Sequence, residues 1–205
     1  MPTLTYDPPP YGTSDVLFGT GILFTSPLAS PGVGADMPSD ANLGVGSAWL
    51  SAGWSYVGAT EAGVTQTYNP STQNINIEEQ PTPVGVAVNT ADLQFTTNLS
   101  EETLENINLA YGNSGSITTT AAGAGQPGKR VLRLSTNFAE LSAALVAKNA
   151  LGFATVLYVP VVNSAGQVQT AFRRSAQQRL YPLTLNAICA FDDITFTELT
   201  APASS

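Results

Sequence analysis

The sequence contains no histidine. That absence excludes Ser-His and Cys-His nucleophile systems and removes the commonest metal ligand. A general base poised near neutrality would have to be a strongly perturbed carboxylate or lysine. One cysteine is present, Cys189, in the apolar run "NAICAF". A single thiol excludes an intrachain disulfide and a cysteine-built zinc site, and its context reads as that of a small buried apolar residue. Basic residues are missing from the first part of the chain, where no Lys or Arg precedes Lys129. Charge of either sign is scarce, 11% of residues against roughly 25% in an average soluble domain. Long apolar runs are also lacking. The longest, "ALGFATVLYVPVV", is too short to span a bilayer and holds Gly152 and Pro160. The N-terminus shows neither a basic n-region nor an apolar h-region, so no signal peptide and no membrane anchor is expected. The chain reads as a soluble product made in a cytoplasm.

What is present is a chain of 205 residues, 43% of them hydrophobic, long enough for one sizeable core. A surface so poor in charge is expected to be covered by partners, since a monomer needs charge to stay soluble. The net charge is −8 with a sequence pI near 4.2, which argues against sequence-independent affinity for nucleic acid. Residues 1–128 carry eleven acidic and no basic groups, whereas residues 129–205 carry seven basic and four acidic ones. Such a split allows the halves to pair within one chain or between copies.

Along the chain, residues 1–14, "MPTLTYDPPPYGTS", read as an extended proline-rich arm. "DVLFGTGILF" (15–24) reads as a strand, and residues 25–46 as a long loop, a feature usually functional or mobile. Strand-like runs follow: "AGWSYVGAT", "GVTQTYNP" stopping at its Asn-Pro, and "TQNINIEEQ". In the last, Ile75 and Ile77 alternate with Asn74, Asn76 and Glu78, which puts the isoleucines toward the core. "VGVAVN" and "DLQFTTN" alternate again. This cadence of strand and turn predicts a mainly β fold, a two-sheet β-sandwich or barrel.

One flanking α-helix is predicted over about 100–111. Ser100 is its N-cap, Leu99 at N′ staples onto Leu104, and Gly112 ends it in a left-handed C′ position. Glu101 and Glu102 fall in the first turn, where the helix dipole favours acids. Leu104, Ile107 and Tyr111 form the buried stripe. Residues 113–128 read as a flexible loop and "KRVLRLS" (129–135) as a strand. Residues 138–149 are open between helix and strand. Asn137 and Glu140 have capping-box spacing, yet the segment runs into "ALGFATVLYVPVV" as a hairpin turning at "KNALG" would. "GQVQTAFRRSAQQRLYPLTLNAI" reads as one bent strand or two. Residues 199–205 are a polar C-terminal tail, and the whole of 1–205 is taken as one domain.

No motif carries catalysis. Glu78 and Glu79 are adjacent on a strand and so point to opposite faces, whereas glycosidase chemistry needs two carboxyls about 5–9.5 Å apart facing one sugar. Asp192 and Asp193 read as turn residues. "GAGQPGKR" nearly matches a phosphate-binding loop, but Arg130 stands where the magnesium-binding hydroxyl is needed, and a strand rather than a helix follows. No cofactor or metal is called for. Trp49, Trp54 and Tyr56 would stack on sugars if exposed, but a core or interface role is favoured. The charge split instead marks Glu78, Glu79, Arg173, Arg174 and Arg179 as candidate contacts between copies, with arginine suited to grip a neighbour's carboxylate in two places.

"GWSYVGATEAGVTQTYNPSTQNINIEEQPTPV" followed by "ADLQFTTNLSEETLENINLAYG" resembles the major tail (tail tube) proteins of long-tailed, non-contractile bacteriophages. "ALGFATVLYVP…FRRSAQQRLYPLTLNAI" resembles the closing strands of actinobacterial-phage versions. The resemblance covers residues 49–112 well and 130–197 more loosely. The arm and the 25–46 loop depart from it. It implies a structural virion protein, not an enzyme, whose copies form hexameric rings by inter-subunit β-pairing. Stacked rings make the tail tube, with a tape-measure protein and tail-end proteins as partners, and DNA passes through without specific binding. It also implies a strand at "ALVAKN". The alternative is another β-sandwich virion or surface module, such as a head-decoration or glycan-binding adhesion protein using Trp49, Trp54 and Tyr56.

Overall fold

A computed structural model describes residues 21–76, 78, 82–149, 152–170 and 179–200. The arm 1–14, residues 15–20 of the first expected strand, Glu79, Arg173, Arg174 and the end of the tail lie outside the described residues. In chain order the elements are β1 (Ile22–Pro27), α1 (Gly46–Ser51), β2 (Ser55–Tyr56), β3 (Thr65–Ile75), β4 (Gly85–Leu99) and α2 (Leu104–Ala110). They continue with β5 (Ser116–Thr120), β6 (Lys129–Arg133), β7 (Glu140–Lys148), β8 (Ala154–Ser164), β9 (Tyr181–Ala187) and β10 (Thr195–Glu198). The fold is mainly β, as its sequence cadence predicts. A large antiparallel sheet runs β2-β1-β7-β8-β9-β4-β3 with β10 added on β8, and β5 and β6 form a small second sheet. Among the described residues no helix is long and apolar enough to cross a membrane.

The segment 138–149 is a strand, not a helix. β7 lies between β1 and β8, and both of its faces are buried. Leu141, Ala143 and Leu145 face one cluster while Ala144 and Val146 face another, so the run is almost continuously apolar. A strand buried on both faces loses its alternation, and periodicity cannot then tell it from a helix. The hairpin turns at Asn149, whose N–H donates to the Phe153 carbonyl and whose Oδ1 accepts from the Phe153 N–H, both at 2.9 Å.

The main core occupies one face of the sheet. It joins Leu23, Leu141, Ala143, Leu157, Val159 and Val162 to Tyr181, Leu183 and Leu185 of β9 and to Leu93, Phe95 and Leu99 of β4. Leu109 and Ala110 of α2 complete it. β8 pairs β9 over Val162–Ser164 alone, while β10 takes up Thr155–Tyr158. This seam lets the β9-β4-β3 part turn away from β1-β7-β8, consistent with a sandwich.

The opposite face of β1-β7-β8 holds a second cluster, and the segment after β1 covers it. The loop expected at 25–46 begins later, since β1 runs to Pro27, and it is packed rather than loose. Ala35, Leu43, Trp49 and Trp54 lie on Phe24, Ala144, Val146 and Val156. Trp49 stacks on Phe24 with ring centroids 5.2 Å apart, and Trp54 meets Trp49 edge-on at 5.1 Å. Each indole N–H donates to a loop carbonyl, Trp49 to Leu43 at 2.8 Å and Trp54 to Asp36 at 2.9 Å. Polar ties hold the loop further. The Tyr158 hydroxyl donates to the Ala35 carbonyl at 2.9 Å, and the Ala35 N–H donates to Ser142 Oγ at 2.7 Å. Burial pushes the Tyr158 phenol above its ordinary value of 10.0.

Several local expectations are corrected. α2 starts at Leu104, four residues later than the predicted helix, and its N-cap is Thr103, whose Oγ1 accepts from the Asn106 N–H at 3.1 Å. Ser100 instead donates from Oγ to the Ala59 carbonyl at 2.8 Å, and Leu99 is a core residue at the end of β4. With Leu104 the first helical residue, no Leu99–Leu104 staple spans the N-terminus. Of the expected stripe, Ile107 packs against the core and Leu104 is half-buried, but Tyr111 is exposed and the buried residues of α2 are Asn106, Asn108, Leu109 and Ala110. The C-terminus is as expected: Gly112 has φ 97°, and the bonds Gly112 N–H to Leu109 and Asn113 N–H to Asn108 complete the Schellman pattern. β3 runs through Pro70, which an edge strand tolerates. "VGVAVN" and "DLQFTTN" are one strand, β4. The loop 113–128 contains β5, "AGWSYVGAT" keeps strand form only at Ser55–Tyr56, and the described residues 165–170 are not strand.

Candidate assembly interface

β3 and β4 are long strands with little cover. β3 is exposed along its whole length, and β4 is mostly exposed from Val86 to Thr90. They pair from Thr65↔Thr96 to Ile75↔Gly85, so they extend past the body as a two-stranded ribbon. The register slips between Ser71 and Thr72, where Ser71 faces Thr90 but Thr72 faces Val88. Asn89 is the extra residue of this β-bulge. Opposed residues of an antiparallel pair share a face, and residues two apart on one strand share a face. Following β3 from Gln66 and Tyr68, which oppose Phe95 and Leu93, leads through Pro70 to Thr72 and Asn74. Thr72 and Asn74 oppose Val88 and Val86. The bulge therefore carries the core face of β4 outward onto two valines that no described residue covers, Val86 61% and Val88 60% exposed. The other face bears Thr65, Thr67, Asn69, Ser71, Gln73 and Ile75. Ile75, expected toward the core, is exposed on that outer side.

Glu78 is exposed in the turn joining β3 and β4, consistent with the rim of a strand. Arg179 is brought to Glu102 of its own chain, and Tyr181 donates its hydroxyl to the same carboxylate at 3.2 Å. Tyr181 first, and Glu102 with it, hold the Arg179 guanidinium protonated more firmly than usual. Glu101 turns the other way and accepts from the Ala59 N–H at 2.9 Å. Neither acid is in the first turn of α2; Glu105 is, and it pairs with Arg130 of β6. The two acids expected to lie together at a helix start thus bind separate parts of the fold, Glu101 the Ala59 backbone and Glu102 Arg179.

A cleft of about 250 Å³ lies between the end of β1, β2 and α2, lined by Ser26, Ser55, Tyr56, Asn106 and Asn108. Its carboxylate is Glu105, already tied to Arg130. Trp49 and Trp54 are buried, so the aromatic trio is not a sugar platform; Tyr56 alone of the three is exposed. Among the described residues no group of three or more Cys, Asp or Glu side chains is placed to hold a metal ion.

The valine strip was missed in the sequence, although a signal exists. Apolar residues fall on even numbers at Val84, Val86 and Val88 and on odd numbers at Leu93 and Phe95. That phase slip within one strand is what a bulge produces. No protein-family model matches the chain, and no curated protein matches it.

Proposed function

We propose that this chain is a structural protein that assembles with copies of itself, the tail-tube subunit of a long-tailed, non-contractile phage. The observation that carries the reading is the β3–β4 ribbon. A two-stranded ribbon is at best marginally stable alone in water, and this one exposes apolar side chains in line with the core face. A neighbouring copy would cover them. The low charge of the chain supports the same reading, because a surface covered by neighbours needs few charges. The net charge of −8 suits a conduit whose wall repels phosphate, so that DNA slides through without adhering. In this reading the rings stack, a tape-measure protein fills the bore before ejection, and the protein resides in the virion.

Negative-stain microscopy of concentrated purified protein tests it. Rings or hollow tubes are expected. A protein that stays monomeric at every concentration overturns the proposal.

A further inference from the structure

The small second sheet is the counterpart of the exposed ribbon. β5 and β6 pair from Ser116↔Arg133 to Thr120↔Lys129. One face, carrying Ile117, Leu132 and Arg130, is turned to the body: Ile117 and Leu132 are half-buried, and Arg130 binds Glu105 of α2. The other face carries Lys129, Val131 and Arg133 on β6 with Thr120, Thr118 and Ser116 on β5. All six are exposed. Lys129 and Arg133 make no ion pair among the described residues. Residues 113–139 contain Lys129, Arg130 and Arg133 and no acid, whereas residues 62–99 contain Glu78, Glu79 and Asp92 and no base.

From this complementarity we infer that the Val86–Val88 face of the β3–β4 ribbon docks on the Lys129–Val131–Arg133 face of a second copy of this chain. The inference rests on the self-assembly reading and names the surface that receives the ribbon. Apolar meets apolar at Val86, Val88 and Val131, and the flanking cations of one copy meet the acidic tip of the other at Glu78. Both ribbons are uncovered in a single chain, so one copy carries a donor and an acceptor that are different surfaces. The contact joins two different surfaces. Repeated head to tail it yields a closed ring or an open filament, and a two-fold pair in which each copy gives its ribbon to the other is its smallest closed form.

The test uses the full chain and three variants: Val86→Lys with Val88→Lys, Lys129→Glu with Arg133→Glu, and Glu78→Arg. Circular dichroism checks that each is folded, which exposed positions favour. Sedimentation velocity is expected to show self-association weakened about tenfold or more in each, because like charges are then juxtaposed. Mixing the Lys129→Glu/Arg133→Glu protein with the Glu78→Arg protein is expected to restore assembly, since each supplies the surface the other has lost. A second measurement places Val86→Cys and Val131→Cys in one Cys189→Ser chain. Oxidation is expected to link chains into dimers and higher multimers on a non-reducing gel. Wild-type protein that assembles while all three variants assemble equally well, with no chain-to-chain disulfide, overturns this docking and leaves the assembly reading standing. Wild-type protein that never associates overturns both.

Discussion

The chain contains two long antiparallel hairpins, β7–β8 and β3–β4, and each has a slip in its register. They differ in what lies against them. β7–β8 is covered on one face by the main core and on the other by the tryptophan-bearing segment, and its sequence is apolar almost throughout. β3–β4 is polar along β3, apolar at alternate positions of β4, and bare over much of its length. Backbone pairing is the same in both, so pairing does not decide their roles. Burial does, because apolar area removed from water is the dominant favourable term in folding and in association. β7–β8 holds the monomer together, whereas the valine strip on β4 contributes in full only when another surface covers it.

The sharpest way to break this contrast is to truncate apolar side chains on each side of it. Trp49→Ala removes a fully buried indole, its stacking on Phe24 and a hydrogen bond. A loss of about 3–5 kcal/mol in urea unfolding is expected. Val86→Ala with Val88→Ala is expected to leave the unfolding free energy of the monomer within about 0.5 kcal/mol of the parent while weakening self-association. If the valine variant loses as much stability as the tryptophan variant, the ribbon belongs to the core of the monomer and the contrast fails.

A smaller loss is expected where the covering segment makes its closest approach. A Cβ at Gly34 would lie 2.7 Å from Pro160 Cβ and 2.8 Å from its Cα. Backbone cannot yield as a flexible side chain can, so Gly34→Ala should push the loop off β8 at a cost of about 1–3 kcal/mol. Near-ultraviolet circular dichroism of the buried tryptophans is expected to weaken with it. An unchanged spectrum and unchanged stability would show that the segment is not seated as tightly as β7–β8 requires.

How much of this was legible in the sequence follows from the same contrast. The mainly β class was readable because short alternating runs dominate. β7 was ambiguous because a strand buried on both faces loses its alternation, and only its partners β1 and β8 settle it. The second cluster was readable in part: a buried role for Trp49 and Trp54 was favoured, but nothing local says that they lie across the outer face of β1, β7 and β8. The helix start was misplaced because Ser100 and Thr103 are both good caps, and a tertiary bond takes Ser100 to Ala59 and leaves the cap to Thr103. Of the candidate contacts, Arg179 was legible as a carboxylate partner, but its carboxylate is in its own chain at Glu102.

The cap itself gives the next test, about 1 kcal/mol in size. Thr103→Ala removes the acceptor of the Asn106 N–H and should cost about that much, with faster hydrogen exchange at Asn106. Ser100→Ala is expected to leave that amide protected. The two variants separate the helix from the chain that leads into it. They also ask whether α2 closes the core independently of the β4 strand it follows.

The smallest effect concerns the tie between α2 and the basic ribbon. Arg130 hydrogen-bonds Glu105, and this bond first, then the backbone of α2, holds the Glu105 carboxyl below its ordinary 4.5. The folded state therefore binds fewer protons than the unfolded state between the lowered value and 4.5. The contribution is present above 4.5 and is lost as the pH falls through the lowered value. Both side chains are largely exposed, so solvent and salt screen the pair and less than about 1 kcal/mol is expected at neutrality. Arg130→Gln should lose that increment, the carboxyl should titrate closer to 4.5 by NMR, and the stability gap to the parent should close as the pH is taken below it. Hydrogen exchange along β6 gives the part of the result that bears on the two hairpins. If Arg130→Gln speeds exchange in β6 and leaves β4 unchanged, an ion pair holds the basic ribbon to the body while strand continuity alone holds the acidic one. If β6 is unaffected, Ile117 and Leu132 hold it by packing, and the two ribbons are held to the body in more similar ways than the charges suggest.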